Sequence, residues 1–138
     1  MNILTFDIED WYNCDFISGD FEWDKYEVRI YEGVRRILND LEIRNQKGTF
    51  FCLGWLAEKH PSIIREIADR GHEIGCHSYQ HELSHRFTLE EFISDTSKAK
   101  ALIESVIGDY SGINVPLVAV CNVPPVAQCK VPPQKWLQ

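Results

Sequence analysis

The chain has 138 residues, is 44% hydrophobic and carries a formal net charge of −7. That is one domain's length, with enough apolar sequence for a real core. Excess negative charge opposes a phosphate backbone and no basic run suggests a lipid surface, so neither nucleic acid nor membrane is an expected partner.

In chain order, residues 2–8 read as a short buried strand that runs into the acidic pair Glu9-Asp10. Residues 12–25 are aromatic and acidic and read as a loop. A helix is expected over about 27–44, because Ile30, Val34, Ile37, Leu38 and Leu41 fall at helical spacing. Lys47-Gly48 marks a turn, and 49–53 (TFFCL) reads as a second strand. A second helix is expected through Ile63, Ile64, Ile67 and Ala68, stopped at Gly71, where a left-handed cap is wanted. Residues 73–76 (EIGC) read as a third strand. Thr88 and Glu91 then fit a capping box, opening a helix that carries Phe92, Ile93, Ala99, Leu102, Ile103, Val106 and Ile107 and ends at Gly108. This alternation predicts an α/β fold of about three βα units with parallel strands.

The remainder differs in kind. Five of the six prolines lie beyond residue 109, in an eight-residue recurrence of Val-Pro at 115, 123 and 131. All 21 acidic residues lie in 1–109. Proline has no N–H for a sheet ladder, so 1–109 is expected to be the folded domain and 110–138 a Pro/Val-rich tail of no predicted fold. The five cysteines are odd in number and form no CxxC pair, so no disulfide framework is expected. Met1 leads into only a short apolar segment, which lacks the form of a signal peptide; the expected location is cytoplasmic.

Two clusters carry chemistry. Asp7, Glu9 and Asp10 fall at the C-terminal end of the first strand, and His77 and His81 just after the third. Sites in α/β sheets form along this edge. Two imidazoles and a carboxylate suit a catalytic metal with one position left for water. Side chains alternate along a strand, so Asp7 and Glu9 share a face; one could hold the metal and the other take a proton. One helical turn or a loop would bring His77 and His81 together. A carboxylate at a strand end is often only a cap, and an HxxxH pair alone arises by accident. The conjunction at one edge is what singles these residues out. His85 is expected outside the ligand set, and His60 and His72 read as cap or surface residues. Cys76 reads as a small buried apolar residue, and Trp11, Trp23 and Trp55 as core or lid.

These residues also carry a likeness. Leu4-Thr5-Phe6-Asp7 followed by Glu9-Asp10-Trp11, then Lys47-Gly48-Thr49-Phe50-Phe51, then Gly71-His72-Glu73-Ile74-Gly75-Cys76-His77-Ser78-Tyr79-Gln80-His81 resemble, in order, the motifs of the polysaccharide deacetylases (NodB homology, carbohydrate esterase family 4). The resemblance spans roughly 2–108. It implies a distorted (β/α) barrel, here incomplete, and a divalent metal, commonly zinc. It implies His77 and His81 as ligands, Asp7 as general base, and an acetylated glycan as substrate. Most members have adjacent aspartates; here Ile8 intervenes, which leaves Glu9 or Asp10 as the carboxylate ligand, with strand alternation favouring Glu9.

The family pattern continues with an R-x-x-P-x-[FY] motif and a late general-acid histidine that this sequence does not contain. The chain is therefore expected to be truncated and weakly active or inactive by itself. The alternatives are a non-catalytic interaction module, whose tail would be a Pro-rich partner segment, and a related amidohydrolase on the same fold.

Overall fold

The computed structural model describes residues 3–13, 19–108 and 117–119, the last three as backbone. Four strands form one sheet in chain order: β1 (Thr5–Ile8), β2 (Thr49–Cys52), β3 (Glu73–Cys76) and β4 (Leu117–Ala119). Each neighbouring pair is parallel, so every connection must cross over. Helix α1 (Ile30–Ile43) joins β1 to β2, α2 (Gly54–Lys59) and α3 (Pro61–Asp69) join β2 to β3, and α4 (Leu89–Ile107) follows β3. This is an α/β arrangement of parallel βα units; among the described residues the sheet does not close.

The predicted strands and helices are present, with ends moved by a few residues. Two differences have physical reasons. Helix α2 escapes prediction because its first turn, Gly54, Trp55, Leu56 and Ala57, is buried all round and only Glu58 and Lys59 are exposed; such a turn has no apolar stripe to detect. Strand β4 lies inside the stretch expected to have no fold. Leu117-Val118-Ala119 is a proline-free interval just after Pro116, and pairs Ile74↔Leu117, Gly75↔Val118 and Cys76↔Ala119. A proline just outside a strand costs no ladder bond. The rest of 110–138, with its Val-Pro recurrence, lies outside the described residues.

The two faces of the sheet differ. Ile8, Phe50, Cys52, Ile74 and Cys76 are buried against the helices. They pack with Val34, Leu38 and Leu41 of α1, Ile63, Ile64 and Ile67 of α3, and Ala99 and Ile103 of α4. The Ile, Leu, Val and Phe side chains among these contribute about 1.5–3 kcal/mol each when fully buried. The opposite face carries Thr5↔Thr49↔Glu73 and Asp7↔Phe51↔Gly75 in register. There the Thr49 hydroxyl donates to the Glu73 carboxylate.

The helix ends follow from local chemistry. Thr88 and Glu91 form the predicted capping box: the Glu91 N–H donates to Thr88 Oγ1 (3.3 Å) and the Thr88 N–H to Glu91 Oε2 (2.8 Å). Such a cap is worth about 1 kcal/mol. Gly71 takes φ +71° after α3, the left-handed conformation that glycine adopts freely. Helix α1 is capped from a distance: Asp10 Oδ2 accepts from the N–H groups of Arg29 (2.7 Å) and Ile30 (3.0 Å).

The segment after β1 is held by aromatics. Tyr12 stacks on Tyr26 at 5.2 Å, and Trp23 meets Trp55 edge-on at 5.1 Å. Trp23 and Trp55 are core, as expected, whereas Trp11 is half exposed and its indole N–H donates to the Glu27 carbonyl (3.1 Å). No described helix is long and apolar enough to cross a membrane.

Candidate metal centre

Strand β1 ends at Ile8 and β3 at Cys76, aligned through Cys52 of β2. Glu9 and His77 are thus the next residues beyond one row of the sheet. The His77 N–H continues the ladder by donating to the Cys52 carbonyl (2.9 Å). By alternation Glu9 follows Asp7, and His77 follows Gly75, onto the open face. β1 and β3 lie two ladder spacings apart, roughly 9–10 Å. The extra methylene of glutamate helps a carboxylate cross that gap.

His81 arrives by a turn and not by a helix. Ser78 and His81 adopt φ +63° and +58°, and the His81 N–H donates to Ser78 Oγ (3.0 Å). The two imidazoles sit 4.9 Å apart, ring centre to ring centre. Non-glycine residues persist in the left-handed region only when their surroundings fix them. Here the Ser78 and Tyr79 carbonyls accept from the first N–H groups of α2, Gly54 (2.9 Å) and Trp55 (3.0 Å). Gly54 is required at that junction, since a Cβ there would lie 2.8 Å from Ala99 Cβ and 2.9 Å from the Tyr79 ring. The Tyr79 N–H donates to Asp95 Oδ2 on α4 (3.0 Å). Sequence reasoning passed over Asp95 and Tyr79, because a polar residue on a long helix carries no mark of what it reaches.

Glu9, His77 and His81 each offer one donor atom, and those atoms all lie within 4.8 Å of one another. His81 Nε2 is 3.5 Å from Glu9 Oε2. Glu9 Oε2, His77 Nε2 and His81 Nδ1 are buried without a hydrogen-bond partner. Buried polar atoms are almost always satisfied. Unsatisfied atoms on three clustered side chains fit a bound cation, and two nitrogens with one carboxylate oxygen are a zinc-type donor set. Burial holds the His77 imidazole below its ordinary pKa against the upward pull of Asp7, so it stays neutral and able to donate a lone pair. Asp7 and both histidines line a cleft of about 390 Å³ with Phe51, Ser78 and Phe92.

Asp10, the other carboxylate offered as a ligand, is placed elsewhere. It is buried, and its oxygens are taken by the N–H groups of Trp11 (2.8 Å), Arg29 and Ile30. It is a helix cap, the bland role that strand-end carboxylates often have. His85 is exposed and outside the group, and Cys76 is buried, both as expected. His60 sits at the junction of α2 and α3, as a helix-end residue. His72 differs from expectation: it is buried, packs on Phe50 at 5.0 Å, and its Nδ1 accepts from the Gly48 N–H (3.3 Å).

Burial lowers the pKa of His60, His72 and His77 alike, with Lys47 and Arg70 adding to the effect at His72. Above pH ~6.5 these groups are neutral in both the folded and unfolded chain. As pH falls through that value the unfolded chain binds protons first, so stability is lost on acidification. The melting temperature of the metal-free protein should therefore fall between about pH 6.5 and 5.5. A flat profile over that window would mean these imidazoles protonate within the fold.

A family model described as polysaccharide deacetylase matches residues 3–116. A peptidoglycan-N-acetylglucosamine deacetylase of Bacillus cereus is 37% identical over 73 residues, covering 53% of this chain and 26% of that protein. A solved peptidoglycan N-acetylglucosamine deacetylase superposes with a TM-score of 0.58 at 30% identity, over 75% of this chain and 40% of the other. A CE4 family pseudoenzyme from Bacillus anthracis shares the fold, with a TM-score of 0.55 at 23% identity, over 75% of this chain and 31% of the other. The chain thus spans about a quarter of the curated relative and two-fifths of the first of these structures.

Proposed function

We propose, from the premise that this chain belongs to the polysaccharide deacetylase family, that it carries the metal-and-base side of a site hydrolysing N-acetyl groups on glycans. The observation behind this reading is that Glu9, His77 and His81, each with a buried polar atom that makes no hydrogen bond, bring donor atoms within 4.8 Å of one another beside a cleft that Asp7 lines. Zinc is the metal the donor set favours. When bound, it would polarise the acetyl carbonyl and make a water acidic enough to attack near neutral pH.

The protein's own parts follow from where they stand. Glu9, His77 and His81 hold the ion, and the turn with left-handed Ser78 and His81 fixes the angle between the imidazoles. Asp7, exposed at the cleft and ordered in β1, takes the proton of the attacking water. Phe51 and Phe92 offer apolar walls against which an acetyl methyl or sugar face can rest. The relatives named for peptidoglycan N-acetylglucosamine make an N-acetylated amino sugar the substrate of choice.

Of the five histidines, two are the ligand pair, His60 and His72 pack within the fold and His85 is on the surface. No third imidazole lines the cleft, and where a general acid is wanting the cost is on the order of 10²–10⁴ in rate. The chain is therefore read as a slow enzyme by itself. The test is acetate release from N-acetylglucosamine oligomers with zinc or with a chelator. Release should require zinc, and Asp7→Asn should lower it about 10²–10⁴-fold with zinc content unchanged. Metal-independent release, or an Asp7→Asn variant at the wild-type rate, would overturn the mechanism. Tight zinc without any release would favour a non-catalytic binding module.

A further inference from the structure

The turn that delivers His81 has two non-glycine residues in the left-handed region, Ser78 and His81. Strain of this kind must be held from outside. Most of the holding bonds come from backbone: Cys52 O, Gly54 N and Trp55 N. One comes from a distant side chain. Asp95 on α4 reaches the turn at its centre, where Oδ2 accepts the Tyr79 N–H at 3.0 Å across a sequence separation of 16. Asp95 is half-buried, and burial pushes its pKa up, so an ordinary surface role does not account for it.

The Tyr79 side chain is clamped as well. Its hydroxyl donates to Glu58 Oε2 (2.5 Å) on α2, and Lys98 Nζ, one turn along from Asp95 on α4, sits 3.3 Å from its ring centre. The residue between the two histidines is thus tied to both flanking helices, through its backbone by Asp95 and through its ring by Glu58 and Lys98. None of these groups touches the ligand atoms.

We infer that Asp95 is a positioning residue for the metal site: by accepting the Tyr79 N–H it fixes the turn that sets His81 against His77 and Glu9. The inference rests on the metal-site reading above. It predicts that the acceptor matters more than the charge, because asparagine presents an oxygen of the same reach.

The test uses the full 138-residue chain and Co²⁺ alone as probe. Asp95→Ala should weaken Co²⁺ binding about tenfold and change the ligand-field absorption of the bound ion. Asp95→Asn should restore both to near wild type. In the metal-free state, amide exchange at Tyr79 and His81 should accelerate in Asp95→Ala while β1 and β2 amides keep their protection. That last contrast separates a local effect from general unfolding. Wild-type cobalt affinity and spectrum in Asp95→Ala would overturn the inference, and so would an Asn variant as impaired as the Ala variant. If the wild-type chain binds no cobalt, the metal reading falls. The exchange rates at Tyr79 and His81 still decide whether Asp95 holds the turn.

Discussion

Alanine at His77, His81 or Glu9 should lower zinc affinity by about two orders of magnitude each. A zinc site built into a small domain is worth on the order of 10 kcal/mol or more. Divided among three protein ligands, that is about 3 kcal/mol apiece, and 1.4 kcal/mol is tenfold. Competition with a chromophoric chelator at neutral pH reads this directly. Asp10→Asn is the counter-case and should leave zinc content unchanged, because both Asp10 oxygens are engaged with backbone N–H groups away from the cluster. Glu9→Gln binding zinc as tightly as wild type, or Asp10→Asn losing it, would reverse the assignment of the carboxylate. The ligand variants carry a second signature. In metal-free protein, Glu9 Oε2, His77 Nε2 and His81 Nδ1 are buried without a hydrogen bond, so deleting one of these side chains should cost little stability and can add some. Zinc at about a hundred times its Kd should stabilise the wild type by about 2.7 kcal/mol, and the ligand variants by much less.

Asp10→Ala should destabilise the fold by about 3 kcal/mol, more than any ligand substitution. Its carboxylate accepts three backbone N–H groups, those of Trp11 (2.8 Å), Arg29 (2.7 Å) and Ile30 (3.0 Å). Loss of an N-cap alone costs about 0.5–2 kcal/mol. A hydrogen bond to a charged acceptor is worth about 1.5–3 kcal/mol, and a donor left buried without a partner adds its own penalty. Asp10 is 6% exposed, so water does little to replace it. The Asp10 N–H also donates to Asn13 Oδ1 (2.6 Å), which ties the cap to the turn after β1. Asp10→Asn keeps one acceptor oxygen and should cost about half as much. Denaturant unfolding at constant m measures both. A loss under about 0.5 kcal/mol for Asp10→Ala would show that α1 does not depend on this cap.

Taken together, the two experiments separate roles that three neighbouring acids share in sequence. Asp7, Glu9 and Asp10 span four positions. One stands at the cleft, one joins the imidazoles, and one is spent on a helix that begins some twenty residues later. Only Asp7→Asn should touch rate alone, only Glu9→Gln metal affinity, and only Asp10→Asn stability.

Much of this was legible in the residues. The apolar spacing of Ile30, Val34, Leu38 and Leu41 located α1, and the Thr88-x-x-Glu91 pattern located the start of α4, because both signals are local. Gly71 marked its cap for the same reason. The pairing of an acidic strand end with His77 and His81 was also readable, since parallel strands present their C-terminal ends along one edge. What stayed hidden was non-local or unpatterned. Helix α2 has its first turn buried all round and is too short to show a period. Strand β4 is three residues long, and it pairs with β3, a contact distant in sequence. His72 looks like a surface residue until Phe50 and Gly48 are seen to enclose it.

The sequence by itself determined the alternation of β1, α1, β2, α3, β3 and α4, the parallel sheet and the short list of groups from which a metal site could be drawn. Side-chain type and spacing dictate backbone preference and period, and these act over a few residues. Only the tertiary structure decided among the acids. Glu9 and Asp10 are adjacent carboxylates of nearly equal chemistry. Their fates diverge because one continues the alternation of β1 towards His77 and the other turns back to the exposed N–H groups of α1. Which of them meets an imidazole and which meets a helix end depends on where β3 and α1 arrive in space. That is fixed by the packing of the whole sheet against its helices.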